Sequence, residues 1–239
     1  MRASFGGTAL KRLWWAFALA FAVTVFSFWP TTVGQYGPPD AIRIVHGLFA
    51  IGWMVLLIAQ SWLIGHRHNR WHRTLGWTSL VVAPGTVLSA LYVMLTSQTL
   101  GHFPPDLLLI LDWIDLWSLA LFLGLYVAGI LNRRTMSLHS RFMGSTVFVA
   151  LIPALGRAYG MNIEAIGGLR GALHPCFWTV EIVLVGLVVR DALKHGGLKA
   201  RYLTPYAVTL VSLLAIEWTM FMAPHWPWFA RFMDLISVG

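Results

Sequence analysis

Apolar runs of about 20 residues recur from one end of the chain to the other, and this pattern constrains the fold most strongly. A helix of that length matches the hydrocarbon thickness of a bilayer. Of the 239 residues, 58% are hydrophobic and 11% are charged, which is about half the charged share usual in soluble domains. The chain is therefore expected to be a polytopic, all-α membrane protein without a soluble domain.

We predict seven transmembrane helices that form a single bundle domain over residues 1–239. The first is interpreted as a retained span, because it ends at Trp29-Pro30 without the small-residue site of a cleaved signal peptide. One cysteine, Cys176, excludes an internal disulfide and any CxxC motif. The predicted spans cover residues 13–29, 41–64, 75–96, 107–131, 142–159, 175–189 and 205–222.

The basic residues set the predicted orientation, because Lys and Arg concentrate in cytoplasmic loops. With a cytoplasmic N-terminus, 13 of the 17 Lys and Arg residues fall inside. Those that fall outside are Arg43, Arg157, Arg170 and Arg231. An odd number of spans then places the C-terminus in the periplasm, and we expect a bacterial inner membrane. The charge of +8 is distributed over short loops facing lipid headgroups, which argues against a nucleic-acid partner.

Four acidic residues lie inside predicted spans, where ionisable side chains are costly and usually functional. They are Asp112 and Asp115 in the fourth span, Glu181 in the sixth and Glu217 in the seventh. All fall in the predicted outer half of the bilayer, so they predict a substrate or ligand pocket open to the periplasm. Pairs that lock helix packing, such as Asp112 or Asp115 with Arg157, would explain the same residues.

Four histidines near the span ends predict ligation of haem b. They are His46 and His174 near the outer surface, and His72 and His139 near the inner surface. Haem b takes one imidazole from each side of a bundle core, and Arg43 or Arg157 would pair with its propionates. Two stacked haems would carry electrons across the membrane. Without a metal, His72 and His139 would lie among lipid headgroups beside arginines.

The phrases His72-Arg-Thr-Leu-Gly76 and His139-Ser-Arg-Phe-Met-Gly144, followed by Arg157, resemble those of a bacterial family of uncharacterised multi-span membrane proteins. Members of that family open one helix on HR-x-LG and carry H-x-R-x-[MW] further on. The resemblance covers residues 46–159 and implies a membrane fold without assigning an activity. More loosely, the histidines resemble those of cytochrome b561 and ferric-reductase haem bundles, whose two histidines per helix this chain lacks.

Three functions are compatible with these features. The first is a haem-b-binding electron-transfer protein, a membrane-bound oxidoreductase that would exchange electrons with quinone. The second is a transporter or ligand-binding membrane protein that uses the acidic pocket. The third is an accessory subunit of a larger membrane complex, in which the histidines would ligate a pigment. The lipid bilayer is a partner in all three.

Overall fold

The chain is helical throughout the residues that the computed structural model describes, which are 7–32, 40–97, 103–195, 197 and 201–237. No strand occurs in these ranges. The helices are α1 (Gly7–Thr32), α2 (Ala41–Gly65), α3 (Asn69–Gly76), α4 (Ser79–Ser97), α5 (Pro105–Leu131), α6 (Met136–Asn162), α7 (Gly168–His195), α8 (Thr204–Met220) and α9 (Pro227–Ile236). Parts of the predicted loops, at 33–39, 98–102 and 198–200, lie outside the described residues.

Six helices are long and apolar enough to cross a membrane, namely α2, α4, α5, α6, α7, and α8 with the 3-10 turn that precedes it. Within α1 the apolar segment Leu13–Trp29 is shorter. Large apolar side chains such as Leu48, Val81 and Ile182 are exposed along these helices, as lipid contact requires. The prediction of an all-α, multi-pass membrane protein is confirmed at this level.

The Cα positions divide the chain into two compact units, Met1–Ser89 and Ala90–Gly239. In the N-terminal unit α1 packs against α2, and α3 contacts α2. Thr86 Oγ1 donates to Phe49 O at 3.2 Å, which ties the first half of α4 to α2. Gly85 lies against the Phe49 ring, where a side chain would clash.

In the C-terminal unit α5, α6, α7 and α8 form a ring in which each helix packs against the next, and α8 returns to α5. The side chains at its core include Ile110, Leu125, Phe177, Leu184 and Leu213. Helix α9 packs against α5, and its Phe229 ring meets Trp113 edge-on, with centroids 5.1 Å apart. Trp113 Nε1 also donates to Thr219 Oγ1 at 2.9 Å, so α5 and α8 are joined at the same level.

Several helices extend beyond the predicted spans, such as α6, which begins at Met136 and not at residue 142, and two starting points affect the loops most. The third span was predicted to begin at residue 75, but α4 begins at Ser79, because a turn at Trp77 and Thr78 separates it from α3. Ser79 Oγ and Thr78 Oγ1 donate to carbonyl groups of α3 and so help to close this turn. The sixth span was predicted to begin at Pro175, but α7 begins at Gly168, the second of two consecutive glycines in the left-handed region.

Candidate functional site

A histidine and two glutamates meet between α7 and α8 of the C-terminal unit. His174 Nδ1 and Glu217 Oε1 are 2.6 Å apart, which is a short hydrogen bond. The Glu217 carboxyl group also lies close enough to that of Glu181 for the two to interact electrostatically. Two neighbouring carboxyl groups disfavour ionisation of each other, so a proton on one of them is favoured. His174, Glu217 and Glu181 are hereafter called the acid–histidine relay.

The relay leads from one end of the helical ring towards its middle. His174 lies six residues from the start of α7, and Glu217 lies three residues from the end of α8. Glu181 is seven residues beyond His174, which is about 10 Å along the same helix face. It lies near the midpoint of the 28-residue α7, deeper than the sequence had suggested, because the helix begins seven residues before Pro175.

Burial increases along the relay. The His174 side chain is 44% exposed, whereas the Glu217 side chain is 10% exposed. Glu181 is 6% exposed, and its Oε1 atom is fully buried without a hydrogen-bond partner among the described residues. One end of the relay therefore reaches solvent or headgroups, and the other ends at an unsatisfied carboxyl oxygen inside the protein.

Aromatic rings hold the exposed end of the relay in place. The Trp178 ring stacks on His174 with centroids 5.6 Å apart and an interplanar angle of 24°. The Phe221 ring, directly after α8, has its centroid 5.2 Å from that of the His174 ring. These rings and the Glu217 hydrogen bond fix the imidazole, so its Nδ1 atom points at the carboxyl group.

The structure separates the environments of the four predicted pocket acids. Glu181 and Glu217 meet each other, whereas Asp115 interacts electrostatically with Arg157 of α6. Asp112 is buried although Asp115, three residues later on α5, is exposed. Within the described ranges, no group of three or more His, Cys, Asp or Glu side chains is arranged to hold a metal ion. A pocket that contains all four acids stays a prediction.

Three of the four predicted haem ligands use Nδ1 in a hydrogen bond. His46 Nδ1 lies 3.1 Å from Ser89 Oγ, and His174 Nδ1 binds Glu217. His139 Nδ1 lies 2.8 Å from the carbonyl oxygen of Gly129, so this nitrogen carries the proton. His72 lies half-buried on α3. Arg43, predicted to hold a propionate, forms an ion pair with Asp40 at the start of α2.

Two histidines of the same unit cannot share one haem, because helix length separates them. His46 lies near the start of α2, whereas His72 lies on α3, which packs against the last part of α2 near Gln60, about 20 Å further along the axis. His139 and His174 lie near the starts of consecutive antiparallel helices, about 25 Å apart along the axis.

No family model, curated protein or solved structure matches the chain. Haem b, its four ligands and the family resemblance stay predictions.

A buried ion pair at the opposite end of α7 was not predicted. Arg141 Nε donates to Asp191 Oδ2 at 2.7 Å, and Arg190 Nη2 lies 3.0 Å from Asp191 Oδ1. Arg141 and Asp191 are both buried, and Tyr202 lies under the Arg141 guanidinium at 5.8 Å. The sequence interpretation had placed both arginines in basic loops. The sequence feature that could have indicated this ion pair is Asp191, a single acid that follows Arg190 at the end of an apolar run.

Proposed function

We propose that the protein is a membrane transport protein that binds and passes protons through the acid–histidine relay, with Glu181 as the innermost proton-binding group. The observation that carries this proposal is the buried Glu181 carboxyl group, which has an unsatisfied oxygen and whose charged neighbour is a second acid, Glu217, and not a base. This deepens the interpretation of the acidic residues as a transport site. The two carboxyl groups and the imidazole of the relay can each accept and release a proton.

The energetics favour a proton at this position. An uncompensated carboxylate inside a protein costs several kcal/mol, and the cost is at least as large inside a bilayer. None of the ion pairs among the described residues includes Glu181. A proton shared with Glu217 removes the charge, and His174 can then exchange that proton with the outside because its ring is partly exposed.

Infrared difference spectroscopy on the purified protein tests the assignment. A pH jump is expected to produce a carboxylic-acid carbonyl signal in the wild type that is lost in Glu181→Gln and changed in frequency in Glu217→Gln. Glu164→Gln is the matched control, because Glu164 lies exposed in the 3-10 turn between α6 and α7. It is expected to leave the signal intact. A wild-type signal in Glu181→Gln would contradict the proposal.

Proton flux in proteoliposomes tests the activity itself. Under an imposed membrane potential, the wild type is expected to acidify or alkalinise the lumen faster than Glu181→Gln and His174→Gln do. The first variant removes the innermost acid and the second removes the exposed proton acceptor. If both variants conduct as the wild type does, the relay is a packing device and transport by this route is excluded.

We further propose that Leu13–Trp29 is a seventh span, with the N-terminus in the cytoplasm and the C-terminus in the periplasm of a bacterial inner membrane. The asymmetry of Lys and Arg supports this orientation. In it, the start of α7 and the end of α8 face the periplasm. The exposed end of the relay at His174 would then draw protons from the periplasmic side.

A further inference from the structure

The connector between α2 and α4, residues 66–78, carries an excess of positive charge. Arg67, Arg70 and Arg73 are all exposed, and the segment contains no Asp or Glu. Among the described residues, none of these arginines forms an ion pair with an acid. Three unpaired guanidinium groups close in sequence repel one another, and a bound anion would relieve that repulsion.

Helix α3 presents this charge on one face. His72, Leu75 and Gly76 are half-buried at helical spacing, and Gly76 faces Gln60 of α2. Arg70 and Arg73 lie three residues apart on the opposite, exposed side, so their guanidinium groups can reach one ligand.

Exposed aromatic rings flank the arginines. Trp71 and Trp77 are both more than half exposed on α3 and directly after it. Trp62 stacks on His66 with ring centroids 4.4 Å apart at the end of α2. Tryptophan favours the boundary between lipid headgroups and acyl chains. Since α2 and α4 are both candidate spans, the connector between them lies at that boundary.

We propose that this connector binds the phosphate headgroup of an anionic phospholipid, with Arg67, Arg70 and Arg73 as the phosphate-contacting residues. The guanidinium group matches the geometry of phosphate oxygens through paired hydrogen bonds. The exposed tryptophan rings would lie beside the glycerol and upper acyl chain. A zwitterionic lipid binds less tightly, because its own ammonium group offsets the phosphate charge. This site is independent of the acid–histidine relay.

Native mass spectrometry of the full chain in detergent, titrated with phosphatidylglycerol or phosphatidylcholine, tests the site. A basic residue near an anionic surface contributes about fivefold to binding, so Arg70→Gln with Arg73→Gln is expected to weaken phosphatidylglycerol binding roughly 25-fold. The matched control is Arg133→Gln with Arg134→Gln, which removes the same charge from two exposed arginines in the α5–α6 turn. It is expected to change phosphatidylglycerol binding much less, because these two arginines lie outside the connector.

Three outcomes would overturn the proposal. They are equal binding of the two lipids by the wild type, unchanged phosphatidylglycerol binding in the double variant, or displacement of the lipid by millimolar inorganic phosphate. The last would identify a site for free phosphate and not for a lipid. The variant Arg70→Lys with Arg73→Lys is expected to recover only part of the lost affinity, because it restores the charge without the paired hydrogen bonds of the guanidinium group. Proton signals from Glu181 should be the same in all these variants.

Discussion

Asp191 is a single carboxylate that binds two arginines, so its loss leaves two cations without their anion. In Asp191→Asn the buried Arg141 keeps its charge but loses its ion pair, and such a change typically costs about 3–5 kcal/mol of stability. Arg141→Met is expected to cost less, because Arg190 still pairs with Asp191. Thermal unfolding followed by a thiol-reactive dye measures both, since Cys176 is buried in the folded chain.

The matched control for Asp191 is Asp106, which pairs with Arg170 at an exposed position near the start of α5. Asp106→Asn is expected to leave the unfolding temperature nearly unchanged, because solvent screens exposed ion pairs. Equal unfolding temperatures for Asp191→Asn and Asp106→Asn would show that the buried pair of Arg141 and Asp191 contributes no more to stability than an exposed pair does.

The sequence allowed the acids inside helices to be recognised individually, but it did not determine which of them meet. Glu181 and Glu217 are 36 positions apart, and their contact depends on how α8 packs against α7. Asp112 and Asp115 look alike in sequence, yet one is buried and the other exposed. Costly polar residues can be listed from spacing and hydropathy, whereas their partners depend on helix rotation.

The turn between α6 and α7 depends on three glycines, two for their backbone angles and one for a close approach to a carbonyl group. Gly167 and Gly168 have φ of 78° and 77°, in the left-handed region that glycine adopts without strain. At Gly171, a Cβ atom would lie 1.6 Å from the carbonyl oxygen of Ile166. The chain therefore reverses direction within a few residues, and α7 starts early enough to place Glu181 at its middle.

Gly171→Ala is expected to destabilise the protein by about 1–3 kcal/mol, because the Ile166 carbonyl must move to admit the methyl group. Gly186→Ala is the control within the same helix, since nothing lies within 4 Å of its added Cβ. There alanine should be neutral or stabilise the helix by up to about 1 kcal/mol. The unfolding temperatures of the two variants measure the difference. Equal values would mean that the turn tolerates a side chain.

The whole molecule consists of two units of unequal size. Seven membrane spans were predicted, which is one more than the number of helices that are long and apolar enough to cross a membrane. Six helices are long and apolar enough by themselves, whereas Leu13–Trp29 is shorter. That segment lies within α1, whose 26 residues span about 39 Å. Periodicity and hydropathy predicted the helices well because lipid imposes one requirement on every span. They did not predict the boundary between the units, which depends on packing.

Sidedness decides whether α1 crosses the membrane. The test uses single cysteines in a Cys176→Ala background. Glu164→Cys is expected to react with an impermeant thiol reagent in intact cells, whereas Arg134→Cys is expected to stay unlabelled. The two exposed positions flank opposite ends of α6 and therefore lie on opposite sides of the membrane. With that orientation fixed, α2 begins on the outside. A crossing α1 then places an N-terminal epitope in the cytoplasm, where protease added to spheroplasts cannot reach it. Cleavage of the epitope from outside would show that α1 lies on the membrane surface and that the protein has six spans.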